Sequence, residues 1–172
     1  LNIKCRQSGL RPDAVVLVAT VRALKMQGGV AKADLGTPDV AALNRGAVNL
    51  ARHIENLQKF GLTPVVAINH FIKDSAEELA ALKAVCDSYG ARCAIARHWA
   101  EGGAGAEDLA REVQAQLAEA PAAVRLLYPD AMPLAQKIET VAREIYRAEG
   151  IALSSSAAGS LAEFEKLGYG NL

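Results

Sequence analysis

The chain is built on a repeating pattern of short apolar runs. Each is followed by a polar or glycine-rich stretch and then by apolar residues spaced three and four apart. The runs are residues 14–20 (AVVLVAT), 64–69 (PVVAIN) and 92–96 (RCAIA). The first two are continuous and rich in β-branched residues, which is how strands buried on both faces look; the third is shorter. After the first strand the pattern predicts a long loop containing Gly28-Gly29. Thr37-Pro38-Asp39 then opens a helix, with Thr37 as N-cap and Pro38 at the first helical position. Val40, Leu43, Ala47, Leu50, Ile54 and Leu57 make its apolar stripe, and Gly61 ends it. Ser75 and Glu78 have the spacing of a capping box. The helix they start carries Leu79, Leu82, Cys86 and Tyr89 and stops at Gly90.

After the third strand, Gly102-Gly103-Ala104-Gly105 leads into a helix with Leu109, Val113 and Leu117, closed by Pro121. A helix from Pro133 aligns Leu134, Ile138, Val141 and Ile145, and a last short one covers residues 156–167. The Ser- and Ala-rich stretch 151–158 reads as a connector. The order β-α-β-α-β-α followed by two more helices predicts an α/β fold with a parallel sheet and right-handed crossovers. Residues 1–150 are expected to form this α/β segment. Residues 151–172 are expected to be a connector and short helix leading into a further C-terminal part.

Composition narrows the function. Of the 172 residues 51% are hydrophobic and only 5% aromatic, as in a helix-rich globular chain. The 19 basic and 19 acidic residues balance, so no basic surplus exists to grip a phosphate backbone, and nucleic acid is excluded as a partner. No apolar run approaches the roughly 20 residues a membrane helix needs. The first residues, LNIKCR, lack both the apolar core of a signal peptide and an initiator Met, so the chain is expected to begin in mid-protein. The 3 cysteines, Cys5, Cys86 and Cys93, are odd in number and form no CxxC pair. They read as buried or incidental thiols in a reducing cytoplasm.

In open parallel sheets, ligands bind beyond the carboxyl ends of the strands. After the first strand, Arg22 and Lys25 precede Gly28-Gly29; this is either an anion cradle or a solvated loop, and the spacing favours the loop. After the second, Asn69-His70-Phe71 offers a Phe for stacking on a flat heterocycle, against a Phe turned back into the core with Asp74 helping a helix start. After the third stand His98, the single Trp99 and the Gly102-Gly103 turn. Trp99 could clamp a planar ring with Phe71 or serve as a lid on the core. The glycines could cradle an anion or merely enter a helix. The three His are too scattered for a metal site, and no G-x-x-x-x-G-K-[ST] phosphate loop occurs.

The segments VATVRALKMQGG (18–29), NLARHIENLQKFG (49–61), VVAINHF, HWAEGG, IYRAEGI and LGYGNL together resemble formate–tetrahydrofolate ligases, in order and along essentially all 172 residues. The resemblance implies an ATP-dependent carbon–nitrogen ligase, with Mg accompanying ATP. It would make 10-formyltetrahydrofolate from formate and tetrahydrofolate by way of formyl phosphate. It further implies that Phe71 and Trp99 sandwich the pterin ring, with Asn69, Gly102 and Gly103 as neighbours. Arg22 and Lys25 belong to the signature loop with no role assigned. The implied fold is part of a Rossmann-like, P-loop NTPase-related sheet whose phosphate loop lies upstream of Leu1. The implied setting is a cytoplasmic homo-oligomer when full length, and the chain alone is expected to be inactive. Gln27 stands where His or Asn is usual, and Arg147 and Glu149 where Gly and Asp are common. The alternative is a stand-alone folate-binding or assembly module without catalysis.

Overall fold

A computed structural model describes residues 1–119 and 122–171. The chain divides into two compact units, Arg11–Val124 and Leu1–Leu10 with Arg125–Leu172. The larger unit holds a three-stranded sheet in the order β1 (Val16–Ala19), β2 (Val65–Asn69), β3 (Cys93–Ala96), with every pairing parallel. Val18 lies opposite Ala67, and Ala67 opposite Ala94. Together with eight α-helices among the described residues, this is the α/β parallel architecture that the alternating pattern predicts.

Because side chains alternate along a strand, the register sorts the sheet into two faces. Leu17, Ala19, Val66, Ile68, Cys93 and Ile95 share one face and join the main core. There they meet Leu24, Leu43, Leu50, Ile54, Leu82 and Cys86. Val16 and Val18 share the other face with Val65, Ala67 and Ala94. Helix α6 (Glu107–Glu119) runs against β3 and β2, and no described residue of it is buried. Val16 and Val18 are 43% and 64% exposed. The expectation of a first strand buried on both faces therefore fails. β1 is an edge strand with one apolar face open, while β2 is buried along its length except at Asn69.

The stretch after β1 is not a long loop but helix α2 (Val21–Gln27). Thr20 caps it, its hydroxyl accepting from Ala23 N at 3.1 Å, and Val21, Leu24 and Lys25 are buried. α2 packs closely on α3 (Val40–Lys59). A Cβ added to Gly46 would fall 1.8 Å from the Leu24 carbonyl oxygen, and one on Gly28 would fall 1.9 Å from that of Ala42. Two glycines thus let the backbones touch. The N-cap of α3 is Asp39, not Thr37, since the Asp39 carboxylate accepts from Ala42 N at 2.8 Å. The buried face of α3 contains Leu43, Ala47, Leu50 and Ile54 as the spacing predicts. Helix α4 (Ala76–Ser88) starts at the expected Ser75–Glu78 capping box. Its Leu82 and Cys86 are buried, but Tyr89 is the C-cap and is exposed.

Short helix α1 (Lys4–Ser8) belongs to the smaller unit, with α7 (Leu134–Tyr146) and α8 (Ser155–Lys166). Arg6 ties this unit together. It lies 4.6 Å from the Tyr128 ring centroid, pairs with Asp130 and donates to the Tyr128 carbonyl at 2.6 Å. The expected connector becomes helical from Ser155, with the Ser154 hydroxyl capping Ala157 N. Pro121 lies outside the described residues. All three cysteines are free thiols. Among the described residues no helix is long and apolar enough to cross a membrane.

Within the larger unit one buried ion pair links α2, the start of α3 and α4. Lys25 Nζ lies 2.8 Å from Glu78 Oε1, and both side chains are shut off from solvent. Lys25 also donates to the Thr37 carbonyl at 3.0 Å. Glu78 accepts from Asp39 N at 2.8 Å and Ser75 N at 2.9 Å. Burial by itself would raise the Glu78 carboxyl. The hydrogen bonds from Lys25, Ser75 and Asp39, with the Lys25 charge, outweigh it and hold the group below its ordinary value.

Gly46→Ala is expected to lower stability by roughly 3 kcal/mol, read from urea unfolding, because backbone rather than a flexible side chain must move. Arg147 has φ 55 at the C-cap of α7, the left-handed region that favours glycine. Arg147→Gly is expected to add about 1 kcal/mol in the same assay. Because its folded value is depressed, Glu78 contributes stability present above the ordinary carboxylate value of 4.5 and lost as pH falls through the folded value. Between about pH 5 and about pH 3 the wild type should lose more stability than Glu78→Gln; equal losses would contradict this assignment.

Candidate functional site

The carboxyl ends of the three strands carry the candidate residues. Beyond β2 the ladder runs one residue further, His70 N donating to the Ala96 carbonyl at 3.1 Å. The chain then turns sharply. Phe71 N donates to Asp74 Oδ2 at 2.8 Å, and Asp74 N returns to the Phe71 carbonyl at 2.9 Å. Asp74 thus closes the turn that presents Phe71, while Ser75 caps α4.

Beyond β3 a short helix, α5 (His98–Glu101), carries Trp99. The indole Nε1 donates to the His70 carbonyl at 2.7 Å, so the two strand-end segments are joined at the site itself. Gly105 lets the chain after α5 fold back onto the end of β3, since a Cβ there would meet the Arg97 carbonyl carbon at 2.6 Å.

Phe71 and Trp99 line one cavity of about 500 Å³, within the usual range for a small-molecule pocket. α2 contributes Arg22, whose guanidinium carbon lies 5.6 Å from the Phe71 ring centroid. The segment between α2 and α3 contributes Lys32, Ala33, Leu35 and Gly36, and the turn after β2 adds Ile72 and Lys73. Leu35 is buried as the apolar floor, and Trp99 is half-exposed. No acidic side chain lines the cavity, and Arg22, Lys32 and Lys73 form no ion pair among the described residues. Two aromatic rings beside three cations suit a flat ligand carrying negative charge. A second cavity of about 580 Å³ lies beside β3. It has no aromatic lining, and its Lys83, Arg97 and Arg111 are mixed with Asp108 and Glu112.

The other sequence candidates fall in different places. Lys25 is a neighbour of Arg22 in the chain but points into the core, to Glu78. Asn69 ends β2 outside the cavity lining, and its Oδ1 is buried with no hydrogen-bond partner among the described residues. Gly102 and Gly103 are exposed, and added Cβ atoms would meet nothing within 4 Å. They make the turn after α5 and do not line the cavity. His98 opens α5 and is exposed. The sequence reading missed Lys32, Leu35, Gly36 and Lys73, which sit in irregular segments with no motif spacing. It also read Glu78 only as a capping residue.

Comparison with known proteins gives the family of the chain. The family described as formate–tetrahydrofolate ligase matches residues 1–172. The formate–tetrahydrofolate ligase of Methylobacterium nodulans is 57% identical over 175 residues, covering 100% of this chain and 31% of its own length. That of Allorhizobium ampelinum is 56% identical over 171 residues, covering 99% and 31%. That of Paracoccus denitrificans is 56% identical over 172 residues, covering 100% and 31%. The chain thus spans about a third of the length of these relatives. With a match over every residue and more than half the positions identical, this chain belongs to the formate–tetrahydrofolate ligase family.

Proposed function

We propose that this chain supplies the folate-binding wall of a ligase that joins formate to tetrahydrofolate at the expense of ATP. The observation that carries the proposal is the cavity shared by Phe71 and Trp99, with Arg22, Lys32 and Lys73 around it. A pterin is flat and suits the two rings. The glutamate carboxylates at the far end of a folate suit the cations. Asn69 offers a buried acceptor at the end of the central strand, and Gly102-Gly103 shapes the turn behind Trp99.

In the reaction proposed for the whole protein, a formate oxygen attacks the γ-phosphorus of ATP, ADP leaves and formyl phosphate forms. N10 of tetrahydrofolate then attacks the formyl carbon, phosphate leaves and N10 loses its proton. This chain has no G-x-x-x-x-G-K-[ST] loop. We therefore assign the phosphate-binding half, and with it any P-loop relationship of the fold, to the part of the protein that the relatives possess beyond this third. The cavity's share of the work is orientation, which holds N10 in line with the formyl carbon. Alone, the 172 residues should bind folate without turnover.

Phe71→Ala and Trp99→Ala in the full-length enzyme should each raise the KM for tetrahydrofolate about tenfold through lost stacking surface. KM values for ATP and formate should stay unchanged. Unaltered tetrahydrofolate kinetics in both variants would remove the folate assignment.

A further inference from the structure

We infer that the buried Lys25–Glu78 pair is the positioning device of the cavity, holding three of its four wall segments in place before any ligand arrives. This rests on the folate reading above only for the identity of the ligand. The pair itself lies outside the cavity. Its contacts, however, run to each wall segment except the one bearing Trp99. Lys25 is in α2, one turn along from Arg22. Its ammonium holds the Thr37 carbonyl, at the end of the segment that carries Lys32 and Gly36. Glu78 Oε1 accepts from Asp39 N, the residue where that segment becomes α3. Glu78 Oε2 accepts from Ser75 N, the helix cap that directly follows Asp74, the residue closing the turn that bears Phe71.

Stability alone gives no reason for two charges here. A buried ion pair loses its hydration, and apolar side chains of similar volume often serve stability as well or better. Charged groups add direction. The pair's hydrogen bonds end on backbone atoms of Thr37, Asp39 and Ser75, and bonds to ionised partners are the strong ones. The segment between α2 and α3 needs such fixing. Its only regular structure is one 3₁₀ turn, Lys32–Asp34, and its side chains are mostly exposed except Leu35. A wall already in place spares the ligand the cost of ordering it.

Two measurements on the full-length enzyme test this. The first is amide hydrogen exchange with and without tetrahydrofolate. The amides of Asp39 and Ser75 should exchange as slowly without ligand as those of β2, and tetrahydrofolate should change them less than about twofold. Fast exchange that slows only with ligand would overturn the proposal, since the ligand would then be ordering the wall.

The second measurement uses the double variant Lys25→Met/Glu78→Met, which keeps the buried volume and removes both charges. It should melt near the wild-type temperature yet show a KM for tetrahydrofolate raised about tenfold, with KM for ATP and formate unchanged. A folded double variant with wild-type tetrahydrofolate KM would also overturn it, leaving a purely structural pair. If the double variant fails to fold, the exchange measurement decides alone. Slow exchange in the free enzyme, combined with unaltered kinetics in Phe71→Ala and Trp99→Ala, would remove the folate reading while keeping the pair as organiser of a cavity for another ligand.

Discussion

Lys25 and Glu78 come from helices separated by a strand and a long helix, and both have lost all contact with water. Breaking either partner would strand the other as an uncompensated buried charge, among the costliest defects a core can carry. Every segment that reaches the pair is therefore committed to one arrangement. α2 must lie against α3, the segment from Val30 to Asp39 must close beneath them, and α4 must begin at Ser75. Two further requirements serve the same geometry. The glycines at 28 and 46 allow α2 and α3 to approach until backbone meets backbone. The capping box fixes Glu78 within the first turn of α4, so its carboxylate serves its own helix and its neighbours together.

The sheet divides labour between its faces and ends. Its helix-covered face supplies most of the core, through Val66, Ile68 and the side chains packed on them. The other face is covered beside β2 and β3 and open at Val16 and Val18. The carboxyl ends of β2 and β3 are joined by two hydrogen bonds, His70 N to the Ala96 carbonyl and Trp99 Nε1 to the His70 carbonyl. This couples the two aromatic walls to the parallel ladder. The cations enter separately, from α2, from the irregular segment before α3 and from the turn after β2.

Periodicity and capping made much of this legible in the sequence. The runs at 64–69 and 92–96, the stripe on α3 and the Ser75–Glu78 box are local signals, and the structure keeps them. Phe71 and Trp99 stood out as aromatic residues just past strand ends, but position alone left each open to a core role, and only the family resemblance paired them. Their meeting in one cavity depends on the β2–β3 register, which neither segment encodes alone. α2 was missed because its apolar positions are few, Val21 and Leu24 with Lys25, and a buried lysine looks like a surface one until Glu78 is placed beside it. β1 misled in the opposite way. Its run of valines reads as a strand buried on both faces, yet Val16 and Val18 face solvent. Lys32 and Lys73 had no signature, since a cation at the rim of a cavity is indistinguishable by spacing from a solvated one.

The indole at position 99 has a consequence beyond binding. It is the chain's only tryptophan, stands on the cavity wall half-exposed, and is anchored by its N–H to the neighbouring strand end. Light absorbed at the red edge of the protein spectrum is therefore taken up in this unit almost wholly at one spot, beside Phe71 and the arginine above it. The emission colour of that fluorophore depends on the water and charge around it. The unit carries a built-in optical gauge of its own pocket, and no label need be attached to read it.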